Sequence, residues 1–204
     1  VLLIGLTGGI GSGKTTVCQK FQSLFDCPII DADEINRQLL DNDEQIHQQI
    51  VDQFGPQVLS GDGNINRNYL RQSIFSDEQK RSQLEAILHP RILHTIQQQT
   101  THIQATYVLI VIPLLFELNL QNQFNRILVI DSDEASQMTR VCARDNCDAQ
   151  AVRQIMQNQI NRQTRLSYAD DIICNYGSVD ALDEQIRQLH KKYMELSASS
   201  SHNN

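Results

Sequence analysis

The sequence predicts an α/β protein: a doubly wound parallel sheet with a helical insertion and a helical lid. Three observations carry that expectation. Short apolar runs begin near positions 2, 28, 107, 126 and 172 and alternate with stretches of helical periodicity, the pattern of parallel strands joined by crossover helices. The first run leads straight into a glycine cluster, Gly8-Gly9-Ile10-Gly11-Ser12-Gly13, followed by Lys14-Thr15-Thr16 and an amphipathic stretch to Phe25. From Asp41 to Ala105 no strand candidate occurs, so this segment is far longer than one crossover requires.

Taken in order, Leu2 to Leu6 is apolar on both faces, as a strand inside a parallel sheet must be. Val17, Phe21, Leu24 and Phe25 then share one helical face. Cys27-Pro28-Ile29-Ile30 reads as a short second strand ending at Asp31-Ala32-Asp33. Ligands of open α/β sheets bind beyond the carboxyl ends of strands, which places both carboxylates on the crevice side. Asp31 has a second reading, an N-cap with Glu34 as capping-box partner ahead of the helical run Ile35 to Leu40. Asp33 has only a favourable dipole position to explain it structurally.

Within the insertion, Ile46, Ile50, Val51 and Phe54 make one helical face, and Leu84, Ile87 and Leu88 another. Ser60-Gly61-Asp62-Gly63-Asn64 breaks the two apart. Leu88-His89-Pro90 is expected to interrupt the helices, with Pro90 at a first helical position. His89 on its own is more often a structural histidine than a ligand.

Tyr107 to Ile112 and Arg126 to Ile130 are the next buried strands, closed by Pro113-Leu114-Leu115-Phe116-Glu117 and Asp131-Ser132-Asp133. A helical segment follows with Arg140 and Arg144 one turn apart, a spacing at which like charges repel and call for solvent or an anion. Arg153, Arg162 and Arg165 come soon after. That density points to a mobile segment closing over phosphates, whereas Arg153 fits a solvated face better. Asp171 to Cys174 gives the last strand, and Leu182, Ile186, Leu189, Tyr193 and Leu196 line a final helix. The tail, 197–204, has almost no apolar content and is expected to be disordered.

The glycine cluster carries the chemistry. Its spacing is G-x-x-x-x-G-K-[ST], a P-loop, and it has the strand before and the helix after that the motif requires. Glycines let the backbone approach an anion, and successive N–H groups at a helix N-terminus form a nest for it. Lys14 is expected to reach the β- and γ-phosphates of a nucleoside triphosphate. The Thr15 hydroxyl is expected to complete the shell of a Mg²⁺ held mostly by water and phosphate oxygens.

The net charge of −7 over 204 residues argues against the whole chain neutralising a nucleic acid. Cys18, Cys27, Cys142, Cys147 and Cys174 are odd in number and contain no C-x-x-C pair. Reduced thiols in a cytoplasmic protein are therefore expected, with neither a disulfide framework nor a zinc ribbon. The most apolar stretch, Thr106 to Leu118, is interrupted by Pro113 and Glu117, so no membrane association is expected. The start at Val1 shows no basic n-region followed by a cleavage site, and one or more residues, an initiator Met among them, are expected ahead of it. The oligomeric state is not legible.

Leu6-Thr7-Gly8-Gly9-Ile10-Gly11-Ser12-Gly13-Lys14-Thr15-Thr16 with Asp31-Ala32-Asp33 closely resembles the dephospho-CoA kinase family. So do Leu88-His89-Pro90, Pro113 to Glu117, Arg144-Asp145 and Ala169-Asp170-Asp171, in order along nearly the whole chain. Thr15 stands where the family usually has Ser, and the hydroxyl is kept. The family often has a polar residue near Cys174, and Asn175 follows it here.

The resemblance implies transfer of the ATP γ-phosphate to the ribose 3′-hydroxyl of dephospho-CoA, the last step of coenzyme A synthesis. It implies a P-loop kinase core (1–35, 105–135 and 169–196), a helical substrate-binding insertion for the CoA moiety (36–104) and a lid (136–168). It further implies Asp33 as the base, with Asp31 the alternative, and Lys14 and Arg140 on the phosphates. Gly9, Gly11, Ser12, Gly13, Thr15, Thr16 and Arg144 complete the nucleotide side, with Asn175 near the adenine. Thr7, His89, Leu115 and Glu117 line the acceptor side.

Three rival readings fit the P-loop less well. A P-loop kinase of a nucleoside monophosphate shares the P-loop and lid but lacks the Leu88-His89-Pro90 and Pro113 to Glu117 blocks. A nucleotide-dependent switch finds its D-x-x-G letters only in Asp52-Gln53-Phe54-Gly55, inside a helical region, and no N-K-x-D is present. A mechanical ATPase, with Asp131 closing a Walker B strand, lacks room in a chain of this length for a transmission apparatus.

Overall fold

The structure, a computed structural model, describes residues 1–75, 77–176 and 178–200. The chain divides into two compact units, Val1–Ile30 with Ile103–Asn204, and Asp31–His102. In order, the elements begin β1 (Leu2–Gly8), α1 (Lys14–Phe25), β2 (Ile29–Asp31), α2 (Ala32–Asn42) and α3 (Glu44–Phe54). They continue α4 (Arg67–Phe75), α5 (Glu78–Thr101), β3 (Tyr107–Val111), β4 (Arg126–Asp131) and α6 (Glu134–Asp145). The last are α7 (Ala149–Gln157), α8 (Arg162–Ser167), β5 (Asp171–Cys174) and α9 (Val179–Ser200).

The sheet of the first unit has the order β2-β3-β1-β4-β5. β1 lies between β3 and β4 and pairs with both in parallel, Leu6 opposite Val111 on one side and Leu128 on the other. β4 pairs in parallel with β5. This is a doubly wound sheet, as the alternation of apolar runs predicts. Ile4, Leu6, Leu109, Leu128, Ile130 and Ile173 from the strands join Val17, Phe21, Ile186 and Tyr193 from α1 and α9 in one core. At Gly5 the packing leaves no room for a side chain: a Cβ there would stand 2.9 Å from both Leu115 and the Phe124 ring. At the open edge, Arg126 pairs with the buried carboxylate of Asp171 at 2.8 Å, and Lys192 and the Tyr193 hydroxyl add to it.

The second unit has its own core of Ile46, Ile50, Phe54, Val58, Leu70, Leu84 and Leu88. Asp43 caps α3 by accepting from the backbone N–H of Gln45 and Ile46, and it also pairs with Arg91 of α5. The Ser60 to Asn64 turn is spanned by a Leu59–Ile65 bridge.

Three expectations are corrected. Pro90 does not start a helix: α5 runs unbroken through it, because Leu84 and Leu88 before it and Ile96 after it are all buried, and together they hold both sides of the one missing hydrogen bond. Glu34 is not a capping-box partner; its carboxylate accepts from Gln38 and pairs with Arg37 instead. The tail is helical as far as Ser200, continuing the amphipathic α9, and residues 201–204 lie outside those described.

Candidate active site

The loop between β1 and α1 builds the site. Gly11 and Gly13 have φ of +70° and +94°, conformations that an L side chain rarely adopts. A Cβ on Gly13 would stand 2.1 Å from Nδ2 of Asn175, and one on Gly11 2.7 Å from the backbone oxygen of Gln137. The glycines are therefore required twice, by backbone conformation and by what packs against the loop. Gly13 is also the N-cap of α1 and offers no side-chain hydrogen bond. Asp or Asn side chains cap α2, α3, α5, α6, α7 and α8. The α1 terminus thus keeps its N–H groups and the positive end of its dipole for another acceptor. Ser12 points the same way, since its hydroxyl is fully buried with no hydrogen-bond partner.

Lys14 folds along the loop, its ammonium donating to the carbonyls of Gly8 at 2.8 Å and Gly9 at 3.1 Å. Thr15 and Thr16 follow in the first turn of α1 and are exposed. Arg140, from α6, donates to the carbonyls of Gly11 (3.3 Å), Ser12 (3.4 Å) and Asn175 (2.9 Å) and to the Ser132 hydroxyl (3.2 Å). Asn175, just past β5, donates from Nδ2 to the Ser12 carbonyl at 2.7 Å. Arg140, Asn175 and the P-loop thus form one cluster.

Arg144 is not drawn into it; it is exposed and pairs with its neighbour Asp145 at 2.7 Å. Of the residues expected on the acceptor side, Thr7 is buried and donates to the Pro113 carbonyl at 3.2 Å. Glu117 accepts the N–H of Ile160 at 2.8 Å. Leu115 has no exposed surface and packs beneath Gly5, so its visible work is in the core. His89 lies on α5, half-buried, and burial pushes its imidazole below the ordinary value while Glu85 opposes. At the head of α2, Asp31 accepts the N–H groups of Asp33 (2.8 Å) and Glu34 (3.4 Å), so its N-cap role holds. Asp33 is exposed in the first turn.

The sequence reading gave other residues of this site no individual assignment. Asp131, where a Walker B acid would stand, has both carboxylate oxygens taken by Arg162 at 2.7 and 2.6 Å, and that pairing pushes the guanidinium above its ordinary value. Gln159 accepts the N–H of Ile10 at 2.9 Å, and Gln137 is buried against Gly9. Glutamine is common along the whole chain, so neither stood out. Arg162 and Arg165 were visible only as members of an arginine-rich segment.

A parallel sheet of this order, with a glycine loop leading into the uncapped head of its first helix and arginines brought to it by α6 and α8, has the architecture of a P-loop kinase. The solved structures similar to this one agree. A Thermus thermophilus protein, TT1252, matches with a TM-score of 0.84 at 26% identity, over 94% of this chain and 97% of that one. A dephospho-CoA kinase from Campylobacter jejuni matches with a TM-score of 0.68 at 26% identity, over 95% and 97%. A shikimate kinase from Bacteroides thetaiotaomicron, at 14% identity and a TM-score of 0.51, shares the fold alone.

The description "CoaE: Dephospho-CoA kinase" belongs to the family model that matches residues 2–181. A dephospho-CoA kinase of Sodalis glossinidius is 42% identical over 97% of this chain and 94% of its own. One from Vibrio vulnificus is 42% identical over 96% and 97%. The chain belongs to the dephospho-CoA kinase family.

Proposed function

We propose that this chain transfers the γ-phosphate of ATP to the ribose 3′-hydroxyl of dephospho-CoA. The observation that carries it is the uncapped, glycine-built head of α1 beneath Arg140, in a chain of this family. Phosphoryl transfer has a loose transition state with charge on the equatorial oxygens, so alignment and charge stabilisation do most of the catalytic work. Lys14 and Arg140 supply positive charge, and the N–H groups of Gly13 to Thr16 hold the phosphate chain. By the family resemblance Asp33, exposed in the first turn of α2, orients the acceptor hydroxyl and takes its proton, while Asp31 accepts the N–H groups of the α2 cap. Asn175 borders the adenine, while Thr7, His89 and Glu117 belong to the acceptor side.

The residues fit a magnesium ion that arrives with the nucleotide. Among the described residues there is no group of three or more His, Cys, Asp or Glu that could hold a metal, and Asp131 is engaged by Arg162. The Thr15 hydroxyl is the ligand the chain offers, with phosphate and water oxygens for the remainder. A magnesium ion held there would supply positive charge against that developing on the transferring phosphate. The five free cysteines suit a reducing cytoplasm, and no described helix is long and apolar enough to cross a membrane.

The test is ADP release with ATP, Mg²⁺ and a panel of acceptors. Turnover with dephospho-CoA, and none above background with nucleoside monophosphates, is expected. A dephospho-CoA rate no higher than the acceptor-free rate overturns the assignment.

A further inference from the structure

Arg165 is the residue this site leaves unexplained. It lies on α8 and is nine-tenths buried, yet a guanidinium has five N–H donors. Among the described residues its hydrogen bond is a single one, from Nη2 to the Ile160 carbonyl at 2.6 Å. No carboxylate stands within ion-pair distance of it among the described residues. Both nearby acids are engaged elsewhere, Glu117 with the Ile160 N–H and Asp131 with Arg162. Burial pushes the guanidinium below its ordinary value, and those acids oppose this only from a distance. Buried arginines are ordinarily paired, so an under-paired one calls for a missing anion.

The surroundings say what kind of anion. Arg165 lines a cavity of about 390 Å³ together with Gly9, Gln137, Gln159, Arg153 and Arg162. That gathers three arginines beside the P-loop in a chain of net charge −7. Nη1 of Arg165 would stand 3.0 Å from a Cβ on Gly9, and Nε2 of Gln137 only 2.4 Å from it. Gly9 therefore leaves the space through which the guanidinium reaches the loop backbone. Arg162 is occupied by Asp131 and Arg153 is exposed, so Arg165 is the buried cation with donors to spare.

We propose that Arg165 is a catalytic residue of this kinase that binds a phosphate group of a substrate over Gly9, either the terminal phosphate of ATP or the diphosphate of the acceptor. Planar N–H pairs suit such oxygens, and a desolvated guanidinium binds them more strongly than an exposed one. The proposal rests on phosphoryl transfer at the P-loop. Dephospho-CoA-dependent turnover by the unaltered protein tests that reading separately.

Steady-state kinetics of Arg165→Met and Arg165→Lys, with exposed Arg187→Gln on α9 as the charge-loss control, test the assignment. Arg165→Met is expected to lower kcat/KM by about 10²–10³-fold or more, the loss typical of removing one transition-state donor. Arg165→Lys should recover part of it, and Arg187→Gln should match the unaltered protein. A fall in kcat at constant KM identifies the phosphoryl group in transit. A rise in KM for one substrate alone identifies that substrate's phosphate. A direct measurement covers the case in which Arg165→Met does not fold. The side-chain N–H resonance of Arg165 in the unaltered protein, assigned by its loss in Arg165→Lys, should shift on adding ATP with Mg²⁺ or dephospho-CoA. Unchanged kinetics in a folded Arg165→Met, or no shift with either substrate, overturns the proposal.

Discussion

Asp31 and Asp33 are two positions apart at the head of α2, and the structure separates their physics. The Asp31 carboxylate accepts two backbone N–H groups, whereas Asp33 contributes its own N–H to that cap and carries an exposed side chain. Asp31→Ala should therefore cost about 1 kcal/mol of stability, read as a lower urea midpoint. Asp33→Asn should leave the midpoint in place and lower kcat by about 10²–10⁴-fold, the span for losing a general base. The reverse pattern would exchange their roles. Asp171 makes a different statement, about pH. Burial alone would raise its pKa, but hydrogen bonds from Arg126 and Lys192 outweigh burial and hold it below the ordinary carboxylate value. A folded pKa below the unfolded one, about 3.9 for Asp, means that this stabilisation is complete above pH 4 and is lost as pH falls through the folded value. Asp171→Asn should cost about 3–5 kcal/mol at pH 7, because it leaves Arg126 without its buried partner. The cost should shrink as both proteins are unfolded at progressively lower pH, and a cost independent of pH would contradict this account.

Elements differ in how well local sequence announces them. β1, β3 and β4 were legible because a strand buried on both faces is an unbroken apolar run, β2 and β5 because short apolar runs end there at carboxylates or turns, and the P-loop because its glycines are dictated by local backbone geometry. Pro90 misled for the complementary reason. Its missing N–H is a local signal for a break, while the burial of Leu84, Leu88 and Ile96 that keeps α5 whole is set by distant residues. Gln159 was hidden, and Arg165 was legible only as one of several arginines expected near phosphates, because their particular meaning lies in contact with Ile10 and Gly9, far away along the chain. The continuous helix yields a prediction. Pro90 is exposed, so Pro90→Ala restores an N–H for the carbonyl one turn back without disturbing the core. It should raise stability by about 1–3 kcal/mol in urea unfolding. A loss of stability would show that the helix needs the proline's geometry.

At the scale of the whole molecule, the hydrophobic core that joins the sheet to α1 and α9 and the core within Asp31–His102 have no residue in common. The residues proposed to hold the phosphates, Gly8 to Thr16 with Arg140 and Asn175, all belong to the first unit. Asp33 and His89 belong to the second. Donor binding and acceptor chemistry should therefore be separable by damage to one core. Ile50 has no exposed surface and sits at the centre of the second core, so Ile50→Ala should cost about 2–5 kcal/mol there through lost burial and the cavity left behind. Hydrogen exchange should report faster opening of amides in α3 and α5, with β1 and β4 retaining their protection. Binding of a fluorescent ATP analogue should be unchanged, since no residue of the nest has been touched, while turnover with dephospho-CoA falls. An equal loss of protection in both units would mean that the two cores open as a single cooperative body, and nucleotide affinity would then fall together with turnover.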